Sequence, residues 1–181
     1  MNHAIRIMLS AAVAICLVAS TSAADKANEK EVYDPQSGFE MLKTLAGRWV
    51  PTSDGDESSS ARSPVTFRVT ANDSAVIATF YGGSPNEMIS VFHLDGDSDL
   101  VHTHYCALGN QPTMRFAPST VPGELKFLFS SGTNMDAEVD MHVHNTTIRL
   151  LDNGEIESET EAYAEGKKAS TLKSRLARSE E

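Results

Sequence analysis

Phe39-Glu40-Met41-Leu42-Lys43-Thr44-Leu45-Ala46-Gly47-Arg48-Trp49-Val50 passes from helix to strand within twelve residues. Phe39, Leu42, Leu45 and Ala46 share one face of a 3.6-residue period, which predicts a short amphipathic helix. Upstream, Asp34-Pro35 suits a helix start, since proline is tolerated in the first turn. Ser37 and Glu40 also have capping-box spacing. Gly47 stops the helix, and Trp49 then heads an extended segment.

Downstream the pattern is almost entirely strand. Candidate strands cover 47–52, 64–71, 75–82, 87–95, 99–107, 112–117, 123–130, 137–151, 155–163 and 168–178. Between them stand Asn72-Asp73, Gly82-Gly83-Ser84-Pro85, Asp95-Gly96-Asp97, Gly109-Asn110, Pro122-Gly123 and Asp152-Asn153-Gly154, residues that accept positive φ or fix a turn. The 137–151 segment is long for one strand and predicts a bulge or break near Asn145. Ser53–Ser63 is acidic and serine-rich and reads as a loop. About eight to ten consecutive short strands with no intervening helix predict an all-β, antiparallel, up-and-down barrel with one short N-terminal helix, because closure removes exposed sheet edges. An open sandwich is the alternative.

The chain begins with Arg6, an apolar run from Ile7 to Val18, and small residues ending in Thr21-Ser22-Ala23. That is the order of a secretory signal peptide over residues 1–23, with an apolar core too short to span a bilayer. Ile15 precedes Cys16 where a lipoprotein signal would have a small residue. The expected localisation is therefore secreted or periplasmic, without stable membrane insertion after cleavage. Residues 24–33 are polar and read as a tether, leaving 34–181 as a single domain. Cleavage lowers Lys+Arg from 15 to 14 against 25 Asp+Glu, a formal charge of −11. Such acidity repels phosphate backbones, so no nucleic-acid partner is expected. Cys106 alone remains after cleavage, which excludes an intramolecular disulfide.

Five blocks of residues carry a resemblance. Gly47-Arg48-Trp49 after a short helix is similar to the G-x-W opening of lipocalin-like barrels. Tyr81-Gly82-Gly83, His93-Leu94-Asp95-Gly96-Asp97, the block from Thr103-His104-Tyr105-Cys106 through Gly109-Asn110-Gln111-Pro112 to Met114, and the later His142-Val143-His144 look like a group of secreted bacterial proteins with lipocalin-like (calycin-type) barrels. That group is a domain of unknown function and lends no activity. The resemblance runs from about Phe39 to Arg178 and implies that Trp49 plugs one end of the barrel against an arginine of the last strand. Leu172, Ser174, Leu176 and Arg178 share one face there, so Arg178 is the candidate. A tryptophan that the group's pattern would place in 155–163 is absent.

The polar residues point to binding rather than catalysis. G-x-S-x-G, H-E-x-x-H, P-loop and G-x-G-x-x-G motifs are all absent. The acidic clusters at 54–57, 95–99 and 155–161 read as solvated faces. His104, Tyr105, Asn110, Gln111 and Met114 are candidates for a small, partly apolar ligand, although the two amides of the Gly109–Pro112 loop equally suit a structural hairpin. His102, His104, His142 and His144 form two H-x-H pairs, each on one strand face. Brought together they would suit zinc at about 2.0–2.1 Å, the basis of an alternative reading as a metal-dependent protein or enzyme. Haem is the other candidate cofactor, since some of the ten-stranded lipocalin-like barrels that the chain resembles bind it through one axial histidine; any of His93, His102, His104, His142 and His144 could serve, as could Met114 or Met141, although no C-x-x-C-H attachment motif is present. Against an interior role, Val101/Thr103/Tyr105 and Val139/Met141/Val143 form the more apolar faces, which predicts that both histidine pairs face outward, the alternative being a polar interior lined by them with the apolar face covered by the helix.

Overall fold

The computed structural model describes residues 32–52 and 63–180. The signal peptide, most of the tether and nearly all of the serine-rich loop lie outside the described residues. Of the tether, Val32 and Tyr33 are described, and Tyr33 packs against the core.

One helix, α1 (Pro35–Thr44), precedes ten strands: β1 (Gly47–Pro51), β2 (Val65–Thr70), β3 (Ala75–Phe80), β4 (Met88–Leu94), β5 (Leu100–Tyr105), β6 (Gln111–Ala117), β7 (Glu124–Thr133), β8 (His142–Leu150), β9 (Ile156–Ala164) and β10 (Lys167–Arg178). Each pairs antiparallel with its neighbours in sequence, and β1 pairs with β10 to close the barrel. The up-and-down topology expected from the turn spacing is therefore present, and closure rules out the open sandwich.

The helix begins one turn earlier than a Ser37/Glu40 capping box would put it. Asp34 is the N-cap, its carboxylate accepting from the Ser37 backbone N–H, while Ser37 Oγ in turn accepts from the Asp34 N–H. Glu40 instead pairs with Lys43 at 2.8 Å on the exposed side. Phe39, Met41, Leu42 and Leu45 are buried, and Gly38 lets the helix approach closely, since a Cβ there would lie 2.8 Å from Leu125 Cδ2. The helix covers the barrel end that carries the turns at 71–74, 95–99, 118–123 and 151–155.

Trp49 seals that same end. It is 1 % exposed, and its indole N–H donates to the Leu45 carbonyl at 2.7 Å. Arg178, directly opposite in the β1–β10 register, sets its guanidinium carbon 4.5 Å from the indole centroid. The guanidinium also donates to the carbonyls of Ala46 and Thr44 at 2.6 and 2.7 Å, satisfying two acceptors left over at the helix C-terminus. Gly47 accommodates this closure, having φ +127° and no side chain where a Cβ would sit 2.9 Å from Arg178 Nη1.

The 137–151 segment resolves into a turn and a strand. Residues 139–141 precede β8, and a register shift between Val143 and Asn145 leaves His144 outside the regular ladder. Asn145 then bridges, accepting from the Phe129 N–H and donating to Glu161. A second shift, between Thr113 and Met114 where β6 meets β7, adds to the irregularity here. Among the described residues no helix is long and apolar enough to cross a membrane.

Candidate functional site

The barrel interior is not completely filled. A cavity of about 210 Å³ runs among β2, β3, β4, β5, β8, β9 and β10. Its lining reaches Ser63, Tyr81 and Met88, at the end away from α1. Phe67, Phe80, Phe92, Ile148, Ile156 and Leu172 supply apolar walls, and among the described residues no Asp, Glu, Lys or Arg lines it. Besides Ser63, Tyr81, Thr146 and Thr160, its polar lining includes two hydrogen-bonded sets. Ser158 and Ser174 hydrogen-bond each other across the β9–β10 pair at 2.8 Å. Opposite them in kind stands a triplet on β4 and β5: Ser90, His102 and His104.

That triplet corrects the expectation that the first histidine pair faces outward. His102 is 3 % exposed and His104 6 %. They follow Leu100 on one face of β5, and Leu100 is wholly buried. Tyr105, on the other face, is 46 % exposed. The apolar bodies of Val101 and Tyr105 therefore do not mark the inner face. Imidazole is accepted inside because aromatic rings surround it: His102 stacks on Phe92 at 4.4 Å and meets Phe127 edge-on at 5.4 Å, while Phe80 lies edge-on to His104 at 6.1 Å.

Ser90 links the two rings. His102 Nε2 is 2.8 Å from Ser90 Oγ, which is 3.0 Å from His104 Nδ1. One hydroxyl proton can serve only one ring, so the other ring must donate to the oxygen. Burial drives the His102 pKa down to about 3, with help from the neighbouring His104, and burial alone takes His104 to about 4. Both rings are thus neutral at pH 7. His102 Nδ1 is buried and has no hydrogen-bond partner. An orphaned buried N–H is a rarer arrangement than an orphaned acceptor. The proton order that follows is His102 Nε2–H to Ser90, and Ser90 O–H to His104 Nδ1, leaving His104 with an N–H at Nε2.

The second histidine pair forms a separate cluster. His142 Nδ1 lies 2.8 Å from the Asp140 carbonyl, which can only accept, so this nitrogen carries the proton. Its Nε2 then accepts from His144 Nδ1 at 3.0 Å. His144 stacks between Phe129 at 4.7 Å and Tyr163 at 3.7 Å. Its pKa is lowered by burial and by His142, with Glu161 acting in the opposite direction. Val143, not either histidine, reaches the cavity.

The four histidines proposed as zinc ligands are therefore divided between a strand-β5 network and a strand-β8 network, with β6 and β7 between those strands. Among the described residues no three His, Cys, Asp or Glu side chains converge as metal ligands. Haem does not fit either, because about 210 Å³ falls below even the roughly 300–1,000 Å³ of drug-sized sites.

Of the five ligand candidates, His104 alone lines the cavity. Tyr105 faces outward. Asn110 is buried but holds the Met141 carbonyl at 2.8 Å. Gln111 donates to the Gly109 carbonyl and accepts from Thr133. The Gly109–Pro112 loop is thus a hairpin whose amides satisfy neighbouring groups. Met114 is wholly buried in the core, its sulfur 3.7 Å from Thr146 Oγ1. Sequence reasoning passed over Ser90. Its signal was a small polar residue between Met88 and Phe92 on one face of β4, a gap in an apolar row.

No protein-family profile and no curated protein matches the chain.

Proposed function

We propose that this is a secreted or periplasmic binding protein of the lipocalin-like kind, holding a small, partly apolar ligand inside its barrel. The signal-like N-terminus supports the compartment, and the likeness of the 103–114 block to secreted barrel proteins supports the kinship. The observation that carries the binding reading is the interior cavity itself, with apolar walls and the Ser90–His102–His104 network placed on one side. Well-packed interiors leave few voids larger than a water molecule, so space of this size favours an occupant. Catalysis has less support. Both imidazoles hold their protons too weakly for a base working near neutral pH, and no third group orients either ring toward Ser90.

Native mass spectrometry of the protein purified from its own host tests this reading. A co-purified small molecule, lost on denaturation and displaced by small aromatic probes, is the expected result. A bare protein that also fails to bind a panel of apolar dyes and fragments would remove the reading's support.

A further inference from the structure

Resting on that binding reading, we propose that the ligand is uncharged, of one-ring or short-chain size, and carries a single oxygen that accepts a hydrogen bond from His104 Nε2–H. Size comes first. An engineered cavity of about 150 Å³ in another protein takes up benzene, and the space here is about 210 Å³. A single ring with one substituent fits that range, whereas a long acyl chain or a macrocycle does not.

Charge is decided by the lining. Among the described residues no ionisable side chain other than the histidines and Tyr81 contributes to it, and both histidines are neutral for want of solvent. A carboxylate or ammonium entering the cavity would lose its water and find no countercharge, a cost far above that of a neutral oxygen. The polarity of the contact comes from the proton order in the network. His104 Nδ1 is taken by the Ser90 hydroxyl, and its Nε2 makes no hydrogen bond with any described residue. The ring lines the cavity and is otherwise buried, so the partner for this N–H comes from whatever fills the cavity. An ether, carbonyl or hydroxyl oxygen completes the network, and apolar walls from β2, β3 and β8 cover the remainder of the ligand.

Three near-isosteric probes separate these elements: toluene, benzyl alcohol and benzoate, titrated at pH 7 with ligand-observed NMR or calorimetry. Benzyl alcohol should bind at least tenfold more tightly than benzoate, and about fivefold more tightly than toluene, the ratio for one net hydrogen bond. In Ser90→Ala or His104→Phe the alcohol's advantage over toluene should shrink to within about twofold, while toluene still binds. Should His104→Phe fail to fold, His104→Gln keeps a donor amide and should retain part of the advantage. Benzoate binding as tightly as the alcohol would overturn the uncharged class. Toluene matching benzyl alcohol in the unaltered protein would overturn the oxygen contact. If no probe binds but the protein from its host carries a small molecule, the size class is wrong and the binding reading survives. If the host protein is bare as well, both fall together.

Discussion

Arg178→Ala isolates one contribution to barrel closure, because that side chain joins β1, β10 and the end of α1. Its guanidinium lies over Trp49 of β1 and donates to two carbonyls at the end of α1, while its backbone belongs to β10. A cation–π contact at an exposed site is worth about 0.5–1 kcal/mol. Hydrogen bonds from a charged donor run to about 1.5–3 kcal/mol each, but solvent reaches Arg178, so the lower end or less applies. The loss on truncation should total about 2 kcal/mol. For a domain near 150 residues this corresponds to a fall in Tm of roughly 4–8 °C. Arg178→Lys keeps the charge but not the planar fork, and should recover less than half of the loss. A double-mutant cycle with Trp49→Phe, read by chemical denaturation, should give a coupling of about 0.5–1 kcal/mol. A Tm of Arg178→Ala within about one degree of the unaltered protein, or a coupling of zero, would refute the argument that this cation holds the closure together.

Three further outcomes follow from the same geometry. Trp49→Ala should destabilise by about 3–5 kcal/mol, the range for deleting a large buried aromatic, and an unchanged denaturation midpoint would contradict the plug. Stability should fall as pH drops from about 6.5 toward 4, because His102 and His104 are neutral when folded and take up protons only when unfolded. In that window the unfolded chain binds more protons, so the slope approaches about 1.4 kcal/mol per pH unit for each histidine, and His104→Gln should flatten it by about half; an unaltered slope would show the rings to be solvated. Asn110→Ala should cost about 1–2 kcal/mol through the freed Met141 carbonyl yet leave affinity for benzyl alcohol unchanged, and a loss of affinity instead would return the 109–112 hairpin to the binding site.

The architecture was legible in the sequence for simple reasons. Glycine, asparagine and proline pairs at short intervals leave the chain little choice but to reverse, and period-2 alternation between them sets one face inward. Trp49 after Gly47, with Arg178 on a shared face of the final strand, could be located by counting alone. The interior polar site was less visible. Reading Val101, Thr103 and Tyr105 as the inner face weighted hydrophobicity over the anchor that matters, Leu100, whose side shared with His102 and His104 is the buried one. The length of 137–151 already pointed to a break near Asn145, and the register shift between Val143 and Asn145 bears this out, but which side each residue takes around it is set by the pairing of β8 with β9. Cavities escape sequence reading altogether, because they are the difference between the volume strands enclose and the volume their side chains fill.

The most direct test of the account is where a bound probe sits. In ¹H–¹⁵N spectra of the isotope-labelled protein titrated with benzyl alcohol, resonances of Ser90, His102, His104 and Thr146 should move together and saturate, including the His104 imidazole nitrogens, while Asn110 and Gln111 stay still. Shifts centred on the 109–112 hairpin or on the His142–His144 cluster, with the Ser90 network silent, would contradict the claim that the barrel interior is the ligand site.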